Sequence, residues 1–66
     1  MHIVCNGRQQ EIDQGKTLGG LLEDLGLPAD SVVAEINQKI IDRDQYATLK
    51  LSQGDQVELI RFVGGG

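Results

Sequence analysis

The residues best suited to chemistry lie at the C-terminal end of the sequence, where the strand-like run Leu59 to Val63 passes directly into Gly64, Gly65 and Gly66. Glycine loses more conformational freedom on ordering than any other residue, so three in succession add nothing to a packed core. Lacking Cβ atoms, they fit a narrow channel, and when extended they reach roughly 10 Å. We therefore expect residues 64–66 to form a flexible tail that enters the active site of another protein.

The reacting group of such a tail is the carboxylate of Gly66. A terminal carboxyl group has a pKa of about 3.3–3.7, so at neutral pH it is an anion and a poor electrophile. Its activation requires contact with the α-phosphate of ATP inside a partner enzyme. The competing interpretation is a flexible end without function.

Other reactive residue types form no catalytic set. The segment Gly15-Lys16-Thr17 is like the end of a phosphate-binding loop, but that motif needs glycine at position 10, which is Gln. His2 is the only histidine, and a metal site would need further His or Cys ligands. We expect no metal, no bound cofactor and no catalytic residues in this chain, which argues that it is not an enzyme.

Cys5 is the only cysteine and shares the strand parity of Met1 and Ile3. No cationic neighbour in sequence would lower its pKa, so we interpret it as a small buried hydrophobic residue rather than a reactive thiol. A single cysteine also forms no internal disulfide, which favours a reducing compartment.

Length and charge restrict the functional classes further. The chain has 66 residues and a net charge of −4, which suits partners with basic surfaces and argues against nucleic acid. Neither a signal peptide nor an apolar run long enough to span a membrane is visible. The sequence predicts one cytoplasmic domain that is a monomer on its own.

The pattern along the chain predicts a hairpin followed by a helix. Asn6-Gly7 is the strongest two-residue hairpin signal and separates two short strands, Met1–Cys5 and Arg8–Asp13. Thr17 is suited to cap a helix, and Gly26 to end it. Four leucines at i, i+3, i+4 and i+7 share one helical face: Leu18, Leu21, Leu22 and Leu25. Gly19 and Gly20 each weaken the helix by about 1 kcal/mol relative to Ala.

The second half of the chain predicts further strands. In chain order these are Val32–Asn37, Lys39–Ile41, a small strand at 49–51 and a last strand at 56–63, with a polar turn or one turn of 3₁₀ helix at 42–46. A single leucine stripe needs one sheet face to cover it. We therefore expect an α+β fold, a four- to five-stranded mixed sheet packed on one main helix, with the first and last strands adjacent at its centre.

The last strand is apolar on both parities. Leu59 lies on the parity expected to face the helix, and Ile60 and Phe62 lie on the other. One helix covers one face of a sheet, and exposed apolar side chains on the uncovered face often mark a contact site. We interpret Ile60 and Phe62 as partner-docking residues, although an ordinary sheet surface is the alternative.

The sequence resembles the ThiS sulfur carrier proteins of thiamin biosynthesis, which have the ubiquitin-like β-grasp fold. The resemblance spans nearly the whole chain and rests on four stretches: MHIVCNG, TLGGLLEDLGL, VVAEINQKIIDRDQY and GDQVELIRFVGGG. The last stretch is the most specific, because few other folds run an apolar strand into a terminal Gly-Gly. Gln38 and Asp42 depart from the family pattern, but both concern turns. On this basis residues 1–63 form the β-grasp domain and residues 64–66 the tail.

The resemblance implies a mechanism. An E1-like adenylating enzyme consumes ATP to adenylate the Gly66 carboxylate, and cysteine-derived sulfur delivered by a desulfurase displaces AMP to leave a thiocarboxylate. Thiazole synthase then takes that sulfur. Gly66 is the sulfur-carrying residue, Gly64 and Gly65 supply reach, and Ile60, Phe62 and Val63 guide the tail into each partner.

Three other functions remain open from the sequence. A carrier like the small subunit of molybdopterin synthase shares the tail chemistry, although such chains are often longer and carry prolines before the glycines. A ubiquitin-like modifier joined to lysines would use the same terminus. A regulatory β-grasp domain that binds a ligand or RNA would not need the terminus at all.

Overall fold

The computed structural model of the protein describes residues 1–62, and within that range five strands and one α-helix follow the predicted order. In chain order they are β1 (His2–Cys5), β2 (Arg8–Glu11), α1 (Leu18–Asp24), β3 (Val32–Ile36), β4 (Lys39–Ile40) and β5 (Gln56–Arg61). Short 3₁₀ turns occur at Ala29–Ser31 and Arg43–Gln45, the second within the predicted polar turn. Among the described residues, no helix is both long and apolar enough to cross a membrane.

The five strands form one mixed sheet in the order β2-β1-β5-β3-β4. β1 and β5 pair in parallel, while the β1–β2, β3–β4 and β3–β5 pairs are antiparallel. The predicted adjacency of the first and last strands is confirmed, and the strand count is the upper of the two expected values. The fold is the ubiquitin-like β-grasp.

The Asn6-Gly7 hairpin is confirmed. Both residues have positive φ, 51° and 80°, as the two central positions of a type I′ turn require. The turn sets the register at Cys5↔Arg8, which continues to His2↔Glu11. A second turn, in which Asn37 and Gln38 also have positive φ, joins β3 to β4.

The predicted helix boundaries are also confirmed. The Thr17 hydroxyl accepts a hydrogen bond from the Gly20 N–H at 3.0 Å, which satisfies one of the free donors of the first turn. At the other end the Leu27 N–H donates to the Leu22 carbonyl at 2.9 Å. The Gly26 N–H donates to the carbonyl three residues earlier, with φ of 70°, so the helix ends in a Schellman motif.

Two sequence predictions are wrong. Leu25 was expected in the buried stripe but is 39% exposed, because the Schellman motif ends the helix before a fourth leucine meets the sheet. No strand forms at residues 49–51. Instead, the Leu18 N–H donates to the Leu49 carbonyl and the Leu51 N–H donates to the Lys16 carbonyl, both at 2.9 Å. This segment therefore pairs with the N-terminal end of α1 rather than with the sheet.

Tyr46 connects the helix to the sheet. It is buried, its hydroxyl donates to the Val32 carbonyl at 2.9 Å, and it accepts from the Ala34 N–H at 3.1 Å. Its own carbonyl accepts a hydrogen bond from the Gly19 N–H at 2.7 Å. Gly19 therefore owes its identity to packing, since the backbone at Tyr46 and Ala47 lies where a side chain would begin.

Gly19→Ala and Gly20→Ala form a matched pair of variants, because either change gains about 1 kcal/mol of helix propensity. A Cβ at 19 would lie 3.1 Å from the Tyr46 carbonyl oxygen, which cannot move without disturbing its hydrogen bonds. A Cβ at 20 would lie 3.0 Å from Lys16 Cδ, which can rotate away, and 3.2 Å from Thr17 Oγ1. Overpacking against backbone costs about 1–3 kcal/mol. We expect Gly19→Ala to be the less stable by about 1 kcal/mol or more in urea denaturation. Equal stabilities would show that the Tyr46 segment adapts.

Candidate functional site

β5 is the element from which the predicted tail extends. It lies between β1 and β3, and the Phe62 N–H continues its pairing toward β3 by donating to the Ser31 carbonyl at 3.0 Å. Phe62 is the last described residue. The predicted carrier residue Gly66, the predicted tail residues Gly64 and Gly65 and the predicted docking residue Val63 lie outside the described range.

The start of β5 is fixed by side chains as well as by the sheet. The Asn37 side-chain carbonyl accepts from the Gln56 N–H at 3.0 Å, and its amide donates to Asp55 Oδ1, also at 3.0 Å. The other Asp55 oxygen accepts from the Ser52 N–H at 2.7 Å. These bonds tie the turn before β5 to the β3–β4 turn, so the strand begins from a defined position.

Asn6 supports β5 further along. Its Oδ1 accepts from the Leu59 N–H at 2.8 Å, and its Nδ2 donates to the Leu59 carbonyl at 3.3 Å. An asparagine amide offers one acceptor and two donors, so this side chain continues the β1–β5 ladder after β1 has turned away. The sequence predicted only the turn role of Asn6, because nothing in the pattern indicates a partner 53 residues away.

The face of the sheet opposite α1 carries the predicted docking residues, and we call it the open face. Strand alternation and register assign to it His2, Val4, Gln9, Glu11, Val33, Glu35, Ile40, Gln56, Glu58 and Ile60, with Phe62 directly after β5. Ile60 is 53% exposed and Phe62 44%, while Val57 and Leu59 on the other parity are buried. The predicted assignment of faces is confirmed, and the docking role stays a prediction.

Ile40 is an apolar residue of the open face that sequence analysis missed. It is 70% exposed and is the register partner of Glu35. Its strand contains only two residues, too few for the alternation that reveals a face. The exposed apolar surface therefore extends from β5 to the β4 edge of the sheet.

Cys5 lies in the core, as predicted. It is 7% exposed and belongs to the same buried cluster as Ile3 and the helix leucines. Burial raises the pKa of its thiol, and the nearby negative charge of Glu58 raises it further. Both causes disfavour the thiolate, which is the nucleophilic form.

The remaining candidates have structural roles. His2 Nε2 lies 3.3 Å from Glu11 Oε1 on the surface, and the described residues contain no group of three or more His, Cys, Asp or Glu side chains placed to hold a metal. Lys16 Nζ donates to Asp24 Oδ2 at 2.6 Å, and this hydrogen bond raises the pKa of the lysine. Lys16 thus contacts its own helix, consistent with the rejection of a phosphate-binding loop.

Comparison with known proteins identifies close relatives. The model of the ThiS family matches residues 3–66. The sulfur carrier protein ThiS of Escherichia coli is 33% identical over 66 residues, which cover all of both chains. The crystal structure of a thiamine biosynthesis protein (ThiS) from Geobacter metallireducens superposes with a TM-score of 0.83 at 29% identity, again covering both chains completely.

Longer relatives also match. A thiazole synthase of Magnetococcus marinus is 38% identical over 66 residues, and one of Paramagnetospirillum magneticum is 33% identical. Each alignment covers the whole of this chain but only 20% of the relative. The chain therefore spans about a fifth of the length of these thiazole synthases.

The buried thiol of Cys5 should be protected from alkylation. Because burial raises its pKa, we expect iodoacetamide at pH 8 to modify it at least ~10-fold more slowly in the folded protein than in urea. Mass spectrometry over time measures both rates. Equal rates would contradict the burial.

The raised pKa of the Cys5 thiol also makes the free energy of unfolding depend on pH. Below pH 9.0, the ordinary pKa of the thiol, the group is protonated in both states and the protein keeps its full stability. As the pH rises through the folded-state pKa, the unfolded state loses its proton more readily and the free energy of unfolding falls. Cys5→Ala, which has no thiol to ionise, is the control and should show a smaller alkaline loss.

Proposed function

The chain belongs to the ThiS family, the sulfur carriers of thiamine biosynthesis, and on that premise we propose that it carries sulfur as a thiocarboxylate on Gly66. The observation that supports this most is the alignment with the E. coli sulfur carrier, which covers both chains from end to end. The family match likewise includes Gly66. A carrier of this kind is a substrate of the enzymes that load and unload it, and does not itself catalyse the reaction.

The proposed loading takes place in three steps. A Gly66 carboxylate oxygen attacks the α-phosphate of ATP on an E1-like adenylating enzyme, and pyrophosphate leaves. The terminal sulfur of a persulfide, which a desulfurase has formed from cysteine, then attacks the acyl carbon, and AMP leaves. A thiol finally attacks the distal sulfur of this acyl disulfide, forming a new disulfide and releasing the sulfur bound to Gly66. The product is a thiocarboxylate, an anion whose soft sulfur atom is a far better nucleophile than the carboxylate oxygen it replaced.

The geometry of β5 supports the role of a rigid base for the tail. Asn6 and Asn37 anchor the strand at Leu59 and Gln56, and the Phe62 N–H donates to the Ser31 carbonyl, so the described chain ends at a fixed position. Three extended glycines reach roughly 10 Å from that base. Gly64 and Gly65 would thus bring Gly66 into an enclosed site of a partner, guided by Ile60, Phe62 and Val63.

Thiazole synthase is the proposed acceptor of the sulfur. The thiazole synthases of Magnetococcus marinus and Paramagnetospirillum magneticum contain a segment that matches this whole chain. Domains joined in one relative often work together as separate chains in another.

We place the protein in the cytoplasm, where ATP for adenylation is available, as a monomer until it meets a partner.

A one-residue extension tests the function. With an alanine added after Gly66, the glycine carboxylate becomes a peptide carbonyl, and we expect sulfur loading to be lost while the fold is unchanged. Intact mass after incubation with the adenylating enzyme, ATP and a sulfur source should show sulfur replacing one oxygen only in the unextended protein. Circular dichroism checks the fold of both. Equal loading of the extended protein would refute the carrier mechanism.

Phe62→Asp tests the docking role. Phe62 is half-exposed and Leu59 is buried, so an aspartate is tolerated at the first position and costly at the second. We expect Phe62→Asp to weaken binding to the adenylating enzyme by more than about 1 kcal/mol, the effect of losing an aromatic anchor. Leu59→Asp should instead mainly lower the free energy of unfolding.

Phe62→Leu is the conservative control and should retain most of the binding. Calorimetric titration and urea denaturation separate the two effects. If the two aspartate variants lost stability equally, the docking role would lose its support.

A further inference from the structure

The charged residues of the five strands are divided between the two faces of the sheet. The three acidic ones, Glu11, Glu35 and Glu58, lie on the open face. The three cationic ones are register partners of core residues: Arg8 of Cys5, Lys39 of Ile36 and Arg61 of Val32. Within residues 1–62 the open face is therefore apolar and anionic, with His2 as its one basic side chain.

Two of these acids lie side by side at the centre of the face. Glu35 and Glu58 are register partners on β3 and β5, and like charges directly opposite each other on neighbouring strands destabilise a sheet. Glu11 lies 3.3 Å from His2, whereas neither Glu35 nor Glu58 has an ion-pair partner among residues 1–62. The fold thus holds an unfavourable pair that no described side chain neutralises.

Exposed apolar side chains flank this pair on two sides. Ile40 is the register partner of Glu35 on its other side, and Ile60 follows Glu58 by two residues on the same face. Both are more than half exposed. An anionic centre with an apolar border is complementary to a protein surface that offers a cation within an apolar patch.

We propose that the open face docks on thiazole synthase through a guanidinium that the enzyme places between Glu35 and Glu58, with Ile40, Ile60 and Phe62 packed around it. This rests on the proposed function, in which thiazole synthase receives the sulfur. Arginine suits the site because its planar fork can donate to two carboxylates at once. Nucleic acid, an anionic membrane and the open face of a second copy would each bring like charge to the face.

The proposal predicts opposite effects on stability and binding. In the free protein, removing one charge relieves repulsion between the two carboxylates. In the complex, the same change removes one of the two carboxylates that bind the guanidinium. That cation is then buried in the interface, where electrostatic interactions are less screened than on an open surface. If Glu58 had only a structural role, replacing it would lower the stability and the binding affinity together.

Glu58→Gln is the test variant, because it keeps the shape of the side chain and removes its charge. Glu23→Gln on the helix is the matched control, since it changes the net charge equally and lies away from the open face. Calorimetric titration against thiazole synthase measures Kd at several salt concentrations. Urea denaturation gives the stability, and intact mass reports thiocarboxylate formation.

For Glu58→Gln we expect Kd to rise at least ~10-fold, with weaker salt dependence and with stability equal to or above wild type. Glu23→Gln should bind like wild type. Equal weakening in both variants, or weaker binding accompanied by lower stability, would overturn the proposal. So would charge-dependent binding only to the adenylating enzyme or to a second copy. Wild-type protein that loads sulfur yet does not bind thiazole synthase would overturn the docking proposal alone, whereas failure to load would count against the carrier function.

Discussion

The parallel pairing of β1 with β5 is the constraint on which the rest of the structure depends. Parallel strands cannot be joined by a tight turn, so the chain between Cys5 and Gln56 has to cross back to the end of the sheet at which β1 began. That crossover contains α1, which covers one face of the sheet and leaves the other open. The end of the described chain is consequently held by its beginning, through Val57 beside Cys5 and Leu59 on the side chain of Asn6.

Much of this architecture could be predicted from local chemistry. Asn6-Gly7, Thr17 and Gly26 each indicate a backbone conformation that few other residue types adopt, and all three are found where predicted. The assignment of faces on β5 followed from a period of two over a long strand. Predictions of this kind succeed because the signal and the structure that it indicates lie within a few residues of each other.

Most of what the sequence did not predict has a different physical origin. Leu25 matches the helical spacing, but backbone hydrogen bonds of the C-terminal turn end the helix before it. Leu49 and Leu51 have the alternation of a strand, yet they pair with the first residue of α1 and with Lys16 just before it. Asn6 supports a strand at the far end of the chain. The outcomes at 49–51 and at Asn6 depend on contacts between distant segments, which propensity and periodicity do not contain, whereas Leu25 is lost to a local helix end.

Side-chain alternation along β5 connects stability with recognition. Val57 and Leu59 point into the core, while Glu58 and Ile60 point away from it, so the buried residues determine where the exposed ones lie. A register slip of one residue would exchange the two sets and place Glu58 in the core. Asn6 and Asn37 oppose such a slip by binding the backbone of β5 at two points. The hydrogen bonds that stabilise the last strand therefore also keep Glu58 and Ile60 on the open face, so the contacts that secure the fold also determine which side chains a partner can reach.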